Sequence, residues 1–353
     1  MVSNVILKDL PTLYRNFLPD FFQKRIPEEQ FATCNNCSMV CKGKDISKLS
    51  DKPFNEKYKC CTYHPSLPNY LIGGALIDQS QKGRHLLKSK IKEKVAVTPF
   101  GLPAPGDYLA LYDKKSGAFG NSRKLLCPYF LEDSGQCGIW QYRESVCSTY
   151  FCKTVAGAKG KMFWEALNSY LRYIQNCLVE YTVIKAGLDI TFISEFTRSL
   201  KAVTPSTLDK LPIPDDDYQA LWENWAGREE EFFVWAYNEV SDLSMHDFQK
   251  IVGVREEVLL KGLVKSRSSM IDIPERLETR LEWQPRVDSP TQNINFKSID
   301  TNFDMPSKVL KAFDGKRTTT EIIKTLDSEE DIELDPDFVL TLYHYDILKP
   351  SDA

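Results

Sequence analysis

Residues 127–152, CPYFLEDSGQCGIWQYRESVCSTYFC, hold four cysteines in 26 positions, Cys127, Cys137, Cys147 and Cys152, with turn-forming Asp133, Ser134 and Gly135 between the first two. Upstream lie Cys34-x2-Cys37-x3-Cys41 and the adjacent pair Cys60-Cys61 in KYKCCTYHP, so nine of the chain's ten cysteines fall between Cys34 and Cys152. A C-x2-C step lets two thiolates converge on one ion from a tight turn. Soft thiolates select zinc or iron-sulfur clusters over hard cations. These nine are the candidate metal ligands.

Compartment decides what clustered thiols mean. The opening MVSNVILKDLPTLYRNFLP has no basic segment followed by an unbroken apolar stretch, so no signal peptide is expected and the chain is placed in the cytoplasm. Thiols there are kept reduced, which favours metal or redox roles over disulfides. Ten cysteines in 353 residues are also too sparse for a disulfide-stapled secreted domain. The longest apolar run, Tyr70 to Ile77, is far short of the roughly 20 residues that cross a bilayer. With 42% hydrophobic and 27% charged residues, the composition is that of a globular chain of two or three domains.

Outward from the cysteines the composition changes. Residues 1–30 form a short lead, with Leu10, Leu13, Phe17 and Phe21 or Phe22 at helical spacing, interrupted by Pro11 and Pro19. Residues 31–155 carry the cysteines, many glycines and prolines, and only short elements, among them an exposed helix over Ser80 to Lys94 and a strand over Tyr108 to Tyr112. Such irregular chain buries little apolar surface and points to a fold organised around ligands. Residues 156–275 are helical. Phe163, Leu167, Tyr170, Leu171, Ile174, Leu178 and Tyr181 make one apolar stripe. Cys177 lies on that stripe and reads as a buried core residue. Further helices are expected over Asp215 to Trp225, Glu229 to Val240 and from Ser244, where Asp247 completes a variant capping box. Trp164, Trp222, Trp225 and Trp235 read as packing, and the carboxylate runs at 215–217 and 229–231 as solvated helix starts.

After a proline-rich boundary over Ile273 to Pro290, residues 290–353 form a compact module. It reads as a strand over Ile294 to Ile299, a short helix over Ser307 to Phe313, an Asp314-Gly315 turn, and a helix opened by a Thr318/Glu321 capping box. A helix with Asp335 as N-cap and Pro336 at its first position follows, then a closing segment at Ile347-Leu348. That order is winged-helix-like. Through VLKAFDGKRTTTEII, residues 309–323, the module resembles the PqqD-like peptide-recognition domains. The resemblance implies a peptide or protein partner, with a purely structural docking role the equal alternative. DNA-binding winged helices share the layout, but 7 Lys or Arg against 13 Asp or Glu over 290–353 is unsuited to a phosphate backbone. Residues 31–160 carry the opposite balance, 19 Lys or Arg against 10 Asp or Glu. The excess lysine is scattered, which fits compensation of metal-bound thiolates better than a nucleic-acid stripe.

The run Cys127-Pro128-Tyr129-Phe130, then Gly135-Gln136-Cys137-Gly138-Ile139-Trp140, then Arg143, Cys147, Phe151 and Cys152, closely resembles the second half of the YkgJ-type cysteine-cluster proteins. These are regarded as zinc- or iron-chelating domains. The likeness covers about 120 of the 353 residues. Glu144 replaces the usual proline after the arginine, and the first-half cysteines are split by Asp45 to Lys59, which leaves open which of the first five are ligands. A related flagellin lysine methylase family is regarded as holding an iron-sulfur cluster, so the resemblance implies iron as readily as zinc.

One four-cysteine site uses four thiolates, fewer than the nine candidates. Neighbouring residues in extended chain point apart, so Cys60 and Cys61 suggest two sites; one site with spare thiols is the alternative. His64 is a possible substitute ligand, although a lone histidine is more often structural. The long steps between the later cysteines, with Tyr129, Phe130, Trp140, Tyr142, Tyr150 and Phe151 available to exclude water, favour iron-sulfur over zinc. The segment 157–161 fails as a P-loop, and the sequence lacks G-x-G-x-x-G, G-x-S-x-G and H-E-x-x-H. Cys34-x2-Cys37-x3-Cys41 reverses the radical S-adenosylmethionine spacing and is read as coincidence.

The expectation is therefore an α+β, mainly helical protein with a cysteine-rich metal-binding domain, a helical middle and a small winged-helix-like module. Its function is an iron-sulfur protein, with a 4Fe-4S cluster expected, possessing redox or group-transfer chemistry on a peptide or protein. The alternative is a zinc-stabilised, non-enzymatic adaptor.

Overall fold

The computed structural model describes residues 3–29, 37, 39–40, 53–106, 108–109, 118–202, 212–284, 289–296 and 301–351. Proline sets the geometry of the lead. Instead of the expected helix, three 3-10 turns run over Ile6–Asp9, Thr12–Asn16 and Asp20–Gln23, the latter two entered from Pro11 and Pro19. A ring without an N–H cannot continue a hydrogen-bonded ladder. The anticipated apolar residues Leu10, Leu13, Phe17 and Phe22 are nonetheless buried. Strands β1 (Ser3–Val5) and β2 (Arg25–Pro27) close the lead in antiparallel register.

Next come β3 (Leu67–Pro68), α1 (Asn69–Ile77), α2 (Arg84–Glu93) and β4 (Gly101–Leu102), with β3 paired to β4. The apolar run at 70–77 is thus a central helix, buried on every side up to Leu76. Buried polar side chains anchor it: the Tyr14 and Tyr70 hydroxyls lie 2.9 Å apart, and Asn69 donates to Pro99 O and Thr182 Oγ1. Helix α2 buries only Leu87 and Ile91, in keeping with the exposed helix expected there. The strand expected over 108–112 is not formed at its start. Gly106, Tyr108 and Leu109 are helical, and Leu109 N bonds back to Pro105 O; Ala110 to Tyr112 lie outside the described residues. A tertiary contact outweighs strand propensity here, since the Tyr108 hydroxyl donates to Thr62 O and accepts from His64 N.

The cysteine-bearing stretch supplies β5 (Phe130–Leu131), β6 (Gln136–Cys137) and α3 (Ser145–Thr149). Helix α4 (Gly157–Lys185) follows and buries the predicted stripe from Phe163 to Leu178. Cys177 sits at the edge of that stripe beside Tyr173 and is partly exposed, not fully buried as expected. Then come α5 (Ile190–Ala202), α6 (Asp215–Trp222), α7 (Glu229–Ser241), α8 (Met245–Val252) and α9 (Val254–Ile271). Both carboxylate runs lie in first turns, and Ser244 caps α8 by accepting from Asp247 N. Trp222 meets Phe232 and Phe233 edge-on, which makes the tryptophans packing elements.

One core draws on Ile6 of the lead, Leu67, Tyr129 and Ile139 of the cysteine region, and the helical residues as far as Met270. The compositional boundaries at 30 and 155 therefore do not separate cores. A second core runs from Leu277 to Leu348. It is built from β7 (Leu277–Thr279), the hairpin β8 (Thr291–Phe296) and β9 (Thr301–Pro306), helices α10 (Ser307–Ala312), α11 (Thr319–Glu330) and α12 (Pro336–His344), and β10 (Leu348–Pro350). Strand β10 pairs with β7, so this module starts ahead of residue 290. Both bonds of the Thr318/Glu321 capping box are present, and Asp335 caps α12 with Pro336 in its first turn.

The module is fastened to the helical part. Tyr345 Oη lies 3.4 Å from both Thr154 O and Val155 O, Lys159 pairs with Asp346, and His344 Nε2 donates to Met270 O at 2.6 Å. His344 is fully buried and its Nδ1 has no partner. Burial, then, holds its pKa down at about 4. The unfolded-state value is near 6.5, so unfolded chains bind the extra proton first. The contribution is fully present above pH 6.5 and is lost as pH falls toward 4, by about 3 kcal/mol in all. His64, also lowered to about 4 by burial, acts in the same sense, while buried Glu29 and Glu144, whose pKa values are raised, act oppositely. The readout is consequently a difference. His344→Gln, which keeps a donor for Met270 O, should flatten the melting temperature against pH between 6.5 and 4. An unchanged slope would assign it to other groups.

Candidate metal centre

Each described cysteine is held by its own local device. Cys60 and Cys61 lie in a turn stapled by Lys59 N to Asn55 O, Cys61 N to Tyr58 O and Tyr63 N to Cys60 O. The chain here is not extended, and the Cys60 and Cys61 thiols hydrogen-bond to each other. The premise for sending them to separate sites is thereby removed. Cys127 N donates to Cys61 O at 2.8 Å, which stitches the early cysteines directly to the late ones. Cys137 ends the hairpin β5–β6, whose turn is the predicted Asp133-Ser134-Gly135, and Gly138 N closes it on Tyr129 O. Cys147 rides on α3. Glu144 has a structural role: its carboxylate caps α3, accepting from Val146 N and Cys147 N. Gln175 of α4 accepts from Ser145 N, so the long helix fixes the position of this turn. Cys152 follows Phe151, which packs on Trp164, and Glu29 ties Trp164 Nε1 and Val155 N together. Cys34 and Cys41 lie outside the described residues.

The thiols of Cys37, Cys60, Cys61, Cys127, Cys137, Cys147 and Cys152 form one electrostatically linked set. Cys60 is its hub: charge there opposes ionisation of Cys37, Cys127, Cys137 and Cys152. Cys147 is linked in turn to Cys127 and Cys137. Burial is the main cause that raises Cys37 and Cys137, lifts Cys127 and Cys152 to about 12, and holds Cys147 well above the usual thiol range. Glu144 adds to the last effect. Cys60 moves down, to about 7, through the hydrogen bond with Cys61 and the charges of Arg143 and Lys59. Arg143 is fixed in place, stacked 3.5 Å over the Trp140 ring and donating to Trp140 O and Cys147 O. It lowers Cys60, Cys137 and Cys147 together.

Buried thiols gathered in this way oppose one another's ionisation. A bound cation reverses that balance, because a coordinating thiol is deprotonated outright. Among the described residues, no three Cys, His, Asp or Glu side chains are gathered tightly enough to enclose an ion as they stand. Fit to a soft-metal group rests on the donor chemistry and on one orphaned atom. The phenol Oη of Tyr129 is completely buried, beside Cys127 and Cys147, with no hydrogen-bond partner. His64 is packed between Tyr108 and Tyr129 with Nδ1 on Pro65 O, the environment of a core histidine. Of the aromatic residues expected to exclude water, Tyr129 and Phe130 are buried in the site's wall. Tyr142 and Phe151 face Tyr237 and Trp164 instead, while Trp140 and Tyr150 are 45% and 46% exposed and form an outer rim.

Comparison with known proteins finds no matching family model, no matching curated protein and no matching solved structure. Spacing alone gave no sign of Tyr63, which is half-buried within electrostatic reach of Glu144 and Cys147, or of the Cys60-centred convergence.

Proposed function

We propose that this chain is a metal-binding cysteine-cluster protein that holds an iron-sulfur cluster, of the 4Fe-4S type, on thiolates drawn from both cysteine groups. The observation that carries this reading is the convergence on Cys60 of thiols from distant segments, beside the fixed cation Arg143. Such a group supplies one-electron redox chemistry when bound. The protein's own residues supply ligands, a compensating positive charge and an aromatic wall. One site with spare thiols now fits better than two, because Cys60 is linked to members of both groups. The hairpin, three helices and closing strand of residues 277–350 are read as a winged-helix-like, PqqD-like module that presents a peptide or protein. Its anchorage on residues 154–159, immediately after Cys152 in the chain, supports a link between the two parts.

Anaerobic purification followed by iron, zinc and acid-labile sulfide analysis tests the reading. Iron and sulfide in comparable amounts, with a thiolate-to-iron absorption band, are expected. Zinc without iron or sulfide would replace it with the zinc-stabilised adaptor.

A further inference from the structure

The Tyr129 hydroxyl is out of keeping with its surroundings. Its ring is 0% exposed, and it makes no hydrogen bond through Oη. A buried donor left unpaired costs free energy and is rare in native proteins. The ring cannot readily swing away to find a partner. Its backbone is clamped by Gly138 N on Tyr129 O, and its edge abuts His64. Cys127, from its own loop, and Cys147, from α3, lie within electrostatic reach of the phenol.

Resting on the iron-sulfur reading above, we propose that Tyr129 is a positioning residue whose phenol O–H donates to a sulfur of the bound group, a Cys127 or Cys147 thiolate or an inorganic sulfide. Hydrogen bonds to the sulfurs are among the determinants of cluster potential. A donor there stabilises the more electron-rich, reduced state and so raises the potential. It also accounts for a tyrosine where phenylalanine would fill the same space without an unpaired hydroxyl.

Tyr129→Phe separates this role from a structural one. The loaded variant should carry the same iron and sulfide as wild type. At a fixed poise its reduced-to-oxidised ratio should fall about tenfold, which for one electron is about 59 mV. In metal-free protein the variant should melt at or above the wild-type temperature, since it removes an unsatisfied hydroxyl. An unchanged potential at equal cluster content overturns the proposal, as does a metal-free variant that melts lower. Should wild type hold zinc alone, the iron-sulfur reading fails on its own. The hydroxyl's role as a donor to the bound group's thiolates is then read from zinc affinity, about tenfold or more weaker in the variant, and equal affinity overturns it. Wild-type protein that binds neither metal overturns both.

Discussion

Cys60→Ser protein is expected to purify without most of its metal, and Cys177→Ser protein with all of it. Cys60 is the one thiol linked to Cys37, Cys61, Cys127, Cys137 and Cys152. Its pKa is also lowered, to about 7, so it readily offers a thiolate to an incoming ion. Serine is close in size but a poor ligand for a soft metal. Affinity should fall by more than the 10- to 100-fold typical of losing a mere outer-shell partner. Cys137→Ser and Cys147→Ser should lower metal content and solubility together, since both thiols are held on a two-residue strand and a five-residue helix that have little stability of their own. Cys177, on α4 beside Tyr173, is the control. Metal content equal to wild type in Cys60→Ser, measured by elemental analysis on samples of equal monodispersity, would sink the Cys60-centred arrangement. Normal content in both Cys137→Ser and Cys147→Ser would remove the later cysteines from the site.

Periodic and capped elements were the legible part of the fold. The α4 stripe, the Ser244 and Thr318 caps and the Asp335-Pro336 helix start are local patterns, and local energetics were enough to form them. Strand β9 was not anticipated, because the alternation of Asn302, Phe303, Asp304 and Met305 is too short to stand out by itself, and the strand forms by pairing with β8. The lead kept its apolar spacing but not its helix, since two prolines divide it into 3-10 turns that still bury the same side chains. In the site, the types and grouping of the cysteines were visible, whereas their convergence was not. It depends on contacts such as Cys127 N to Cys61 O, for which neither residue carries a local signal. Assuming extended chain at Cys60-Cys61 led to two sites, and the turn closed by Tyr58 O shows how one backbone conformation changes a stoichiometric argument. The unpaired Tyr129 hydroxyl is likewise a property of surroundings, not of sequence.

Gly73→Val should abolish the native fold or leave it melting far below wild type, although the position touches no cysteine. Helix α1 is buried on every side, and α7 crosses it where α1 has no side chain. A Cβ on Gly73 would stand 1.8 Å from Phe233 O and 2.9 Å from Tyr237 Cβ. The first obstacle is backbone within a helix and cannot move aside as a flexible side chain would. Ordinary overpacking costs about 1 to 3 kcal/mol, and parting two packed helices should exceed that, against a total stability of about 5 to 15 kcal/mol. The neighbouring Gly74 extends the effect to the metal centre. Its missing Cβ makes room for the Tyr142 ring, at 2.3 Å, and Tyr142 directly precedes Arg143. A shift of α1 therefore also moves the cation that faces Cys60. Gly262→Ala is the contrasting substitution, on α9 with nothing within 4 Å of the added carbon. It should stabilise by about 0.5 to 1 kcal/mol through helix propensity alone. Thermal melts of both variants beside wild type decide the matter: a Gly73→Val protein that melts with wild type would mean that α1 and α7 do not pack at this separation.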